Sequence, residues 1–166
     1  EGVRHLPMPS SWPEASKSIA TTSNQQLRQL GVRLALLFKD PNAIHQLRKT
    51  AIDRGEPPQA RTIAINALVN SKAPQLSDLL KRLLTDRAVR LAALQGLAVI
   101  SDQYTPATIM KGYPSYNREE KQAALNALAA TPQSAKVLLT GVASGVIESE
   151  EITAFTARQI QAHDNP

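Results

Sequence analysis

An eight-residue pattern recurs along the chain: RTIAINAL from Arg61 to Leu68, RLAALQGL from Arg90 to Leu97, and KQAALNAL from Lys121 to Leu128. A weaker copy, RQLGVRLA, runs from Arg28 to Ala35. The copies start 33, 29 and 31 residues apart. A helical octet that returns about every 30 residues is the mark of stacked helix pairs, and one such pair cannot bury both of its faces, so each copy needs a neighbour. The expectation is an all-α solenoid of about five helix pairs.

The octet explains its own composition. Ala64, Ile65 and Leu68 follow Arg61 at i+3, i+4 and i+7 and share its helix face. Ala93, Leu94 and Leu97 stand likewise to Arg90, and Ala124, Leu125 and Leu128 to Lys121. The small residue lets the next helix approach, and the larger two fill the gap. With only 4% aromatic residues against 42% hydrophobic, the core has to be built from Leu, Ala, Ile and Val. Arg61, Arg90 and Lys121 are read as repeat-register residues together with Asp86, which is placed as a helix cap that lets Arg90 reach acidic or carbonyl groups at the adjacent turn. Direct ligand binding is the other reading of these cations. A polar residue recurs on the opposite side of each octet, as Arg33, Asn66, Gln95 and Asn126. Stacking would align these four as a candidate partner surface on the inner, concave face, although each by itself also fits an ordinary solvated position.

Taken in order, residues 1–11 form an extended lead-in, and 12–166 form a single domain. Ser11, Trp12, Pro13 and Glu14 open a first short helix, with Trp12 sealing the first helix pair. Ser23 caps a helix over 24–39 whose apolar face is Leu27, Leu30, Leu34 and Leu37. Asp40 and Pro41 open the next, which Gly55 ends. Pro57 and Pro58 open the Arg61 helix. Pro74 begins a leucine-rich helix, and Asp86 caps the Arg90 helix. Residues 101–103 form a turn before a helix over 104–112. Asn117 caps the Lys121 helix. Pro132 opens a helix loosened by Gly141 and ended by Gly145. Ser149 starts the last helix, which runs to about His163, and 164–166 are a polar stop.

Chemical motifs are missing from this sequence. His5, His45 and His163 lie far apart without metal-ligand spacing, there is no cysteine, and no phosphate-binding, dinucleotide or nucleophile-elbow pattern occurs. Glu148, Glu150 and Glu151 read as helix-start acids rather than a catalytic pair. Tyr104, Tyr113 and Tyr116 are expected near one loop as a small aromatic patch that serves packing, with a partner contact as the second reading. No cofactor, metal or small-molecule substrate is expected, and no apolar run is long enough for a transmembrane helix. The net charge of +5 admits anionic partners, but no basic run of five or more occurs. A chain starting at Glu1 rather than Met reads as a processed product or excised domain.

Prolines opening helices and the Asp86-to-Arg90 turn (DRAVR) make the pattern resemble HEAT repeats. Further landmarks follow in order: Ser11 and Trp12, FKDP from Phe38 to Pro41, Ala60 and Arg61 with Ala67 and Leu68, Leu79 and Leu80, Val89 and Arg90 with Gly96 to Ala98. After them come Tyr113 to Tyr116, Ala124 and Leu125 with Leu128 and Ala129, Gly145 to Ile147, and Ala157 to Ile160. This order resembles the HEAT-repeat (ARM-like) segments of large secreted planctomycete-type proteins, where a dehydrogenase-like β-propeller precedes the repeats and a cytochrome c domain follows. The resemblance implies a right-handed α-α superhelix acting as a non-catalytic scaffold that links or docks redox domains in a periplasmic or extracytoplasmic setting. Its partners would be flanking domains or another protein. A basic solenoid that binds nucleic acid, including a HEAT-like DNA glycosylase, is the alternative. It calls for cations on the inner helices with aromatics and a carboxylate to receive an extruded base.

Overall fold

A computed structural model describes residues 7–100 and 102–163. The lead-in over 1–6 with His5, Ser101 of the expected turn, and the polar stop at 164–166 lie outside the described residues. Ten α-helices and two short 3-10 turns occur among the described residues, with no strand. The helices are α1 (Trp12–Thr21), α2 (Gln25–Leu37), α3 (Pro41–Ile52), α4 (Pro58–Asn70) and α5 (Leu76–Leu83). They continue as α6 (Arg90–Val99), α7 (Thr105–Gly112), α8 (Arg118–Ala129), α9 (Pro132–Ala143) and α10 (Ala154–Gln161).

Local chemistry sets most of the starts. Asp40 accepts the Asn42 amide at 2.9 Å while Pro41 occupies the first turn of α3. Asn117 and Glu120 exchange hydrogen bonds of 2.9 Å in a full capping box that starts α8. Thr131 accepts the Ser134 amide at the head of α9. Several boundaries differ from the sequence expectation. Asn24, not Ser23, caps α2, because its carboxamide reaches two amides, those of Gln26 and Leu27. Asp53 ends α3, and the Gly55 amide donates to its side chain. Pro74 stands before α5, separated from it by left-handed Gln75. The last helix begins at Ala154, because Ser149–Glu151 forms a separate 3-10 turn and Thr153 provides the cap.

Three helices end alike. After α2, α4 and α9 a left-handed residue follows the cap: Lys39, Lys72 and Gly145. The next amide returns to the helix, from Asp40 to Ala35 O, Ala73 to Leu68 O and Val146 to Gly141 O. These are Schellman closures. Glycine adopts that backbone without steric cost, whereas the lysines carry a Cβ penalty of about 1 kcal/mol or more. Gly141 lies within α9, buried where an added Cβ would meet Ile147 at 2.9 Å and the Met110 side chain of α7, so it serves close packing and does not loosen the helix.

Packing runs in two rows. Helices α4, α6, α8 and α10 each touch the next in that series, and so do α5, α7 and α9. Sequence neighbours α3 and α4, α5 and α6, and α7 and α8 also pair. The octet residues form the seam. Ala64, Ile65, Leu68 and their counterparts in α6 and α8 are all at most 2% exposed. Gly96 completes it: a Cβ there would stand 2.8 Å from Val69 of α4 and 2.9 Å from Leu80 of α5.

The fourth octet behaves differently. In α2, Gly31 and Ala35 are buried, but Leu27, Leu30 and Leu34 are 48%, 50% and 40% exposed. The expected leucine face therefore does not enter the core. The small-residue stripe turns inward instead, and Gly31 lets Ile19 of α1 lie directly on the α2 backbone. Trp12 sits at the same end. It is buried, its Nε1 donates to Asp40 Oδ2 at 2.8 Å, and its ring meets Phe38 edge-on at 5.0 Å.

The tight seam gives a direct test. Ala93→Leu has no space to occupy and should destabilise the fold by about 1–3 kcal/mol through overpacking. Chemical denaturation of the two proteins measures it; an unchanged midpoint would contradict the packing described.

Candidate functional site

Two features stand out from this framework: a ladder of cations between helix pairs, two of them buried, and a groove between α6 and α8.

The ladder is built from the first residue of each octet. Arg61 is 3% exposed; its Nη2 donates to Asp86 Oδ2 at 2.8 Å and its Nε to Ala51 O at 3.1 Å. Arg90 is 6% exposed; its Nε donates to Leu84 O at 2.6 Å and its Nη1 to Glu120 Oε2 at 3.3 Å. Lys121 meets Glu151 Oε1 at 2.5 Å and lies over the Tyr113 ring at 5.2 Å. Each arginine thus ties its own helix to the end of the helix before it and to an acid beyond the next helix, in the turn after α5 for Arg61 and in the first turn of α8 for Arg90. Asp86 does not cap α6, which begins under Val89 without a side-chain cap. It accepts the Ala88 amide within the turn and pairs with Arg61 and, at 3.4 Å, with exposed Arg54. Arg28, at the head of the weak octet, is exposed and donates to Thr22 O within its own hairpin.

A second tie joins the other row. Asp102, in the turn before α7, accepts from Lys81 at 2.9 Å and from Ser77, both on α5. Tyr113 and Tyr116 pair edge-on at 6.1 Å and are buried, while Tyr104 is 67% exposed beside Lys81. The aromatic patch therefore contains two of the three tyrosines. Tyr116 lies under the Arg90 guanidinium, and Tyr113 donates to Glu151 Oε2 at 2.8 Å.

These contacts shift the acids. The hydrogen bond from Arg61 holds the Asp86 carboxyl below the usual carboxylate value against the opposing effect of burial. Lys121, with help from Tyr113, does the same for Glu151. Burial acts to raise Asp102, yet the hydrogen bonds from Ser77, Lys81, the Tyr104 amide and Thr105 together carry it well below its usual value. Burial and the bond to Glu151 push the Tyr113 hydroxyl upward.

The α6/α8 groove holds about 390 Å³ and is open on one side. Leu91, Ala98 and Ala123 give it an apolar lining. Gln95, Gln122, Asn126 and Glu119 supply its polar edge. Of the four residues expected on a shared partner surface, the structure brings Gln95 and Asn126 together here. Asn66 on α4 and Arg33 on α2 are exposed but do not line this groove. The sequence reading missed Leu91 and Gln122, although both stand at the second octet position. It also missed Glu120 and Glu151 as partners of the cations; their recurrence 30 residues after Arg90 and Lys121 was the available signal.

Among the described residues, no cluster of His, Asp and Glu is arranged to hold a metal ion, and no helix is long and apolar enough to cross a membrane. No family model, curated protein or solved structure matches the chain.

Removing one side of a buried rung leaves the other uncompensated. Arg90→Ala should cost about 3–5 kcal/mol, and Arg90→Lys should fail to restore it, because one ammonium cannot reproduce the fork that reaches both Leu84 O and Glu120. Denaturant titration of the two variants measures this. A second expectation concerns acid. The folded pKa values of Asp86, Glu151 and Asp102 lie below their unfolded values, so the folded state binds fewer protons. The stability they contribute is complete above roughly pH 5 and is lost as pH falls through the folded values. The melting temperature should be level at neutral pH and drop below about pH 4, and Asp86→Asn should start lower and fall less steeply.

Proposed function

We propose that this chain is a non-catalytic HEAT-type module: a right-handed α-α superhelix of about five helix pairs that positions other domains or a protein partner. The observation that carries the reading is the cation ladder. Arg61, Asp86, Arg90 and Lys121 act in it as register residues, fixing each pair against the next through hydrogen-bonded charges that are buried at Arg61 and Arg90. Such ties suit a spacer that must hold its shape while its exposed row of side chains meets a partner. The resemblance to repeats lying between a β-propeller and a cytochrome c domain extends the proposal: the neighbours would be redox domains, and the setting periplasmic or extracytoplasmic. On this reading the chain carries no cofactor of its own.

The net charge of +5 favours nucleic acid as the second reading. Its natural phosphate contacts would be Arg33, Arg61 and Arg90. Burial and pairing take Arg61 and Arg90 out of reach of a phosphate, which leaves Arg33 and scattered surface cations. Titrating the chain with a short DNA duplex at low and then higher salt decides between the two. The expected result is no saturable binding. Submicromolar binding with a steep loss on adding salt would overturn the scaffold reading, since counterion release is the signature of phosphate neutralisation.

A further inference from the structure

The groove between α6 and α8 presents a specific combination of groups. The Gln95 carboxamide is exposed and engaged in no hydrogen bond among the described residues. Gln122 Nε2 donates to Asn126 Oδ1 at 3.2 Å, so this pair keeps an acceptor on Gln122 and a donor on Asn126 free. Free donors and acceptors therefore stand beside an apolar lining of Leu91, Ala98 and Ala123. Of the groove's lining residues only Glu119 is charged, and it forms no ion pair among the described residues. Arg118 precedes it but points elsewhere around the helix, since successive helical residues diverge by about 100°. Lys121 is committed to Glu151, and Arg90 to Glu120.

We infer that this groove seats an extended polypeptide segment bearing a lysine or arginine, its main chain paired with Gln95, Gln122 and Asn126 and its cation set against Glu119. The inference rests on the protein-docking reading above and names the partner's chemistry. In an extended segment each residue turns its own N–H and C=O to the same edge, and a side-chain carboxamide, with one donor group and one acceptor, complements that pair. A phosphate or another anion would meet a carboxylate and no cation. An enclosed small ligand fits poorly, because sites that hold one bury most of its surface, whereas this groove is open on one side. The occupant's basic side chain follows from Glu119, the groove's single charge, which an acidic segment would oppose.

A phage-displayed library of random 12-residue peptides, panned on the intact chain, tests the proposal. Enriched peptides should be rich in Lys or Arg, poor in Asp and Glu, and bind the double variant Gln95→Ala, Asn126→Ala about ten-fold more weakly or worse. Both positions are on the helix surface, so an unchanged melting temperature shows that the variant is folded. Glu119→Gln should lower affinity for the basic peptides and lose it less for neutral analogues. Peptides that bind the double variant undiminished would overturn the groove while leaving a protein-docking module that uses another surface. No enriched peptide at all would count against the groove and the docking reading together.

Discussion

A guanidinium cannot shed its proton to escape burial, so a chain that places arginine between helices has to surround it with acceptors. Arg61 and Arg90 meet this demand in the same way. One nitrogen goes to the last carbonyls of the preceding helix, and another goes to a carboxylate in the segment that follows. The demand is geometric as well as electrostatic. A helix pair displaced by one turn would strand both a cation and an acid, each at a cost of several kcal/mol. Hydrophobic contact between leucine-rich surfaces is far more tolerant of sliding. The apolar seam supplies the attraction, and register is the role proposed for the charged rungs.

The third rung shows what changes when the cation is lysine. Lys121 is less enclosed than the arginines and has no second nitrogen to offer a distant carbonyl. Tyr113 fills that role from the other side: its ring lies beneath the ammonium, and its hydroxyl donates to the same Glu151 that the lysine binds. Three groups satisfy one another, and the 3-10 turn at Ser149–Glu151 is held in place by them. The separate start of α10 is a consequence of this. Glu151 is drawn toward Lys121 rather than left in a first helical turn, and Thr153 takes over as the cap.

The repeat was legible in the sequence because three of its four copies keep small and large apolar residues at fixed places, and those places all lie in the core. Helix starts were legible where proline or a capping carboxamide stood, as at Pro41 and Asn117. Less legible was α2, whose regular leucines gave the stronger apolar period while its glycine and alanine decided the packing. Periodicity reports which residues share a face; it does not report which face a neighbour can approach more closely. The rungs were half legible. The cations could be picked out by their repetition, but their partners lie on the next repeat, and Glu120 and Glu151 had ordinary local explanations as helix-start acids. The groove was only partly legible, because it depends on two helices meeting: Gln95 and Asn126 stood out by their recurrence, whereas Leu91 and Gln122 did not.

The rungs also have a direction. Each runs from a cation to an acid that lies later in the chain, 25 residues on for Arg61 and 30 for Arg90 and Lys121. No contact of this kind has to wait for the two ends of the chain to find one another. A cation meets its counter-charge once the next helix and the start of the segment after it are formed, so structure can grow by extension from a pair already in place. The same locality makes the repeat a unit of change: a pair could be gained or lost between rungs while the pairs beyond it kept every partner they have.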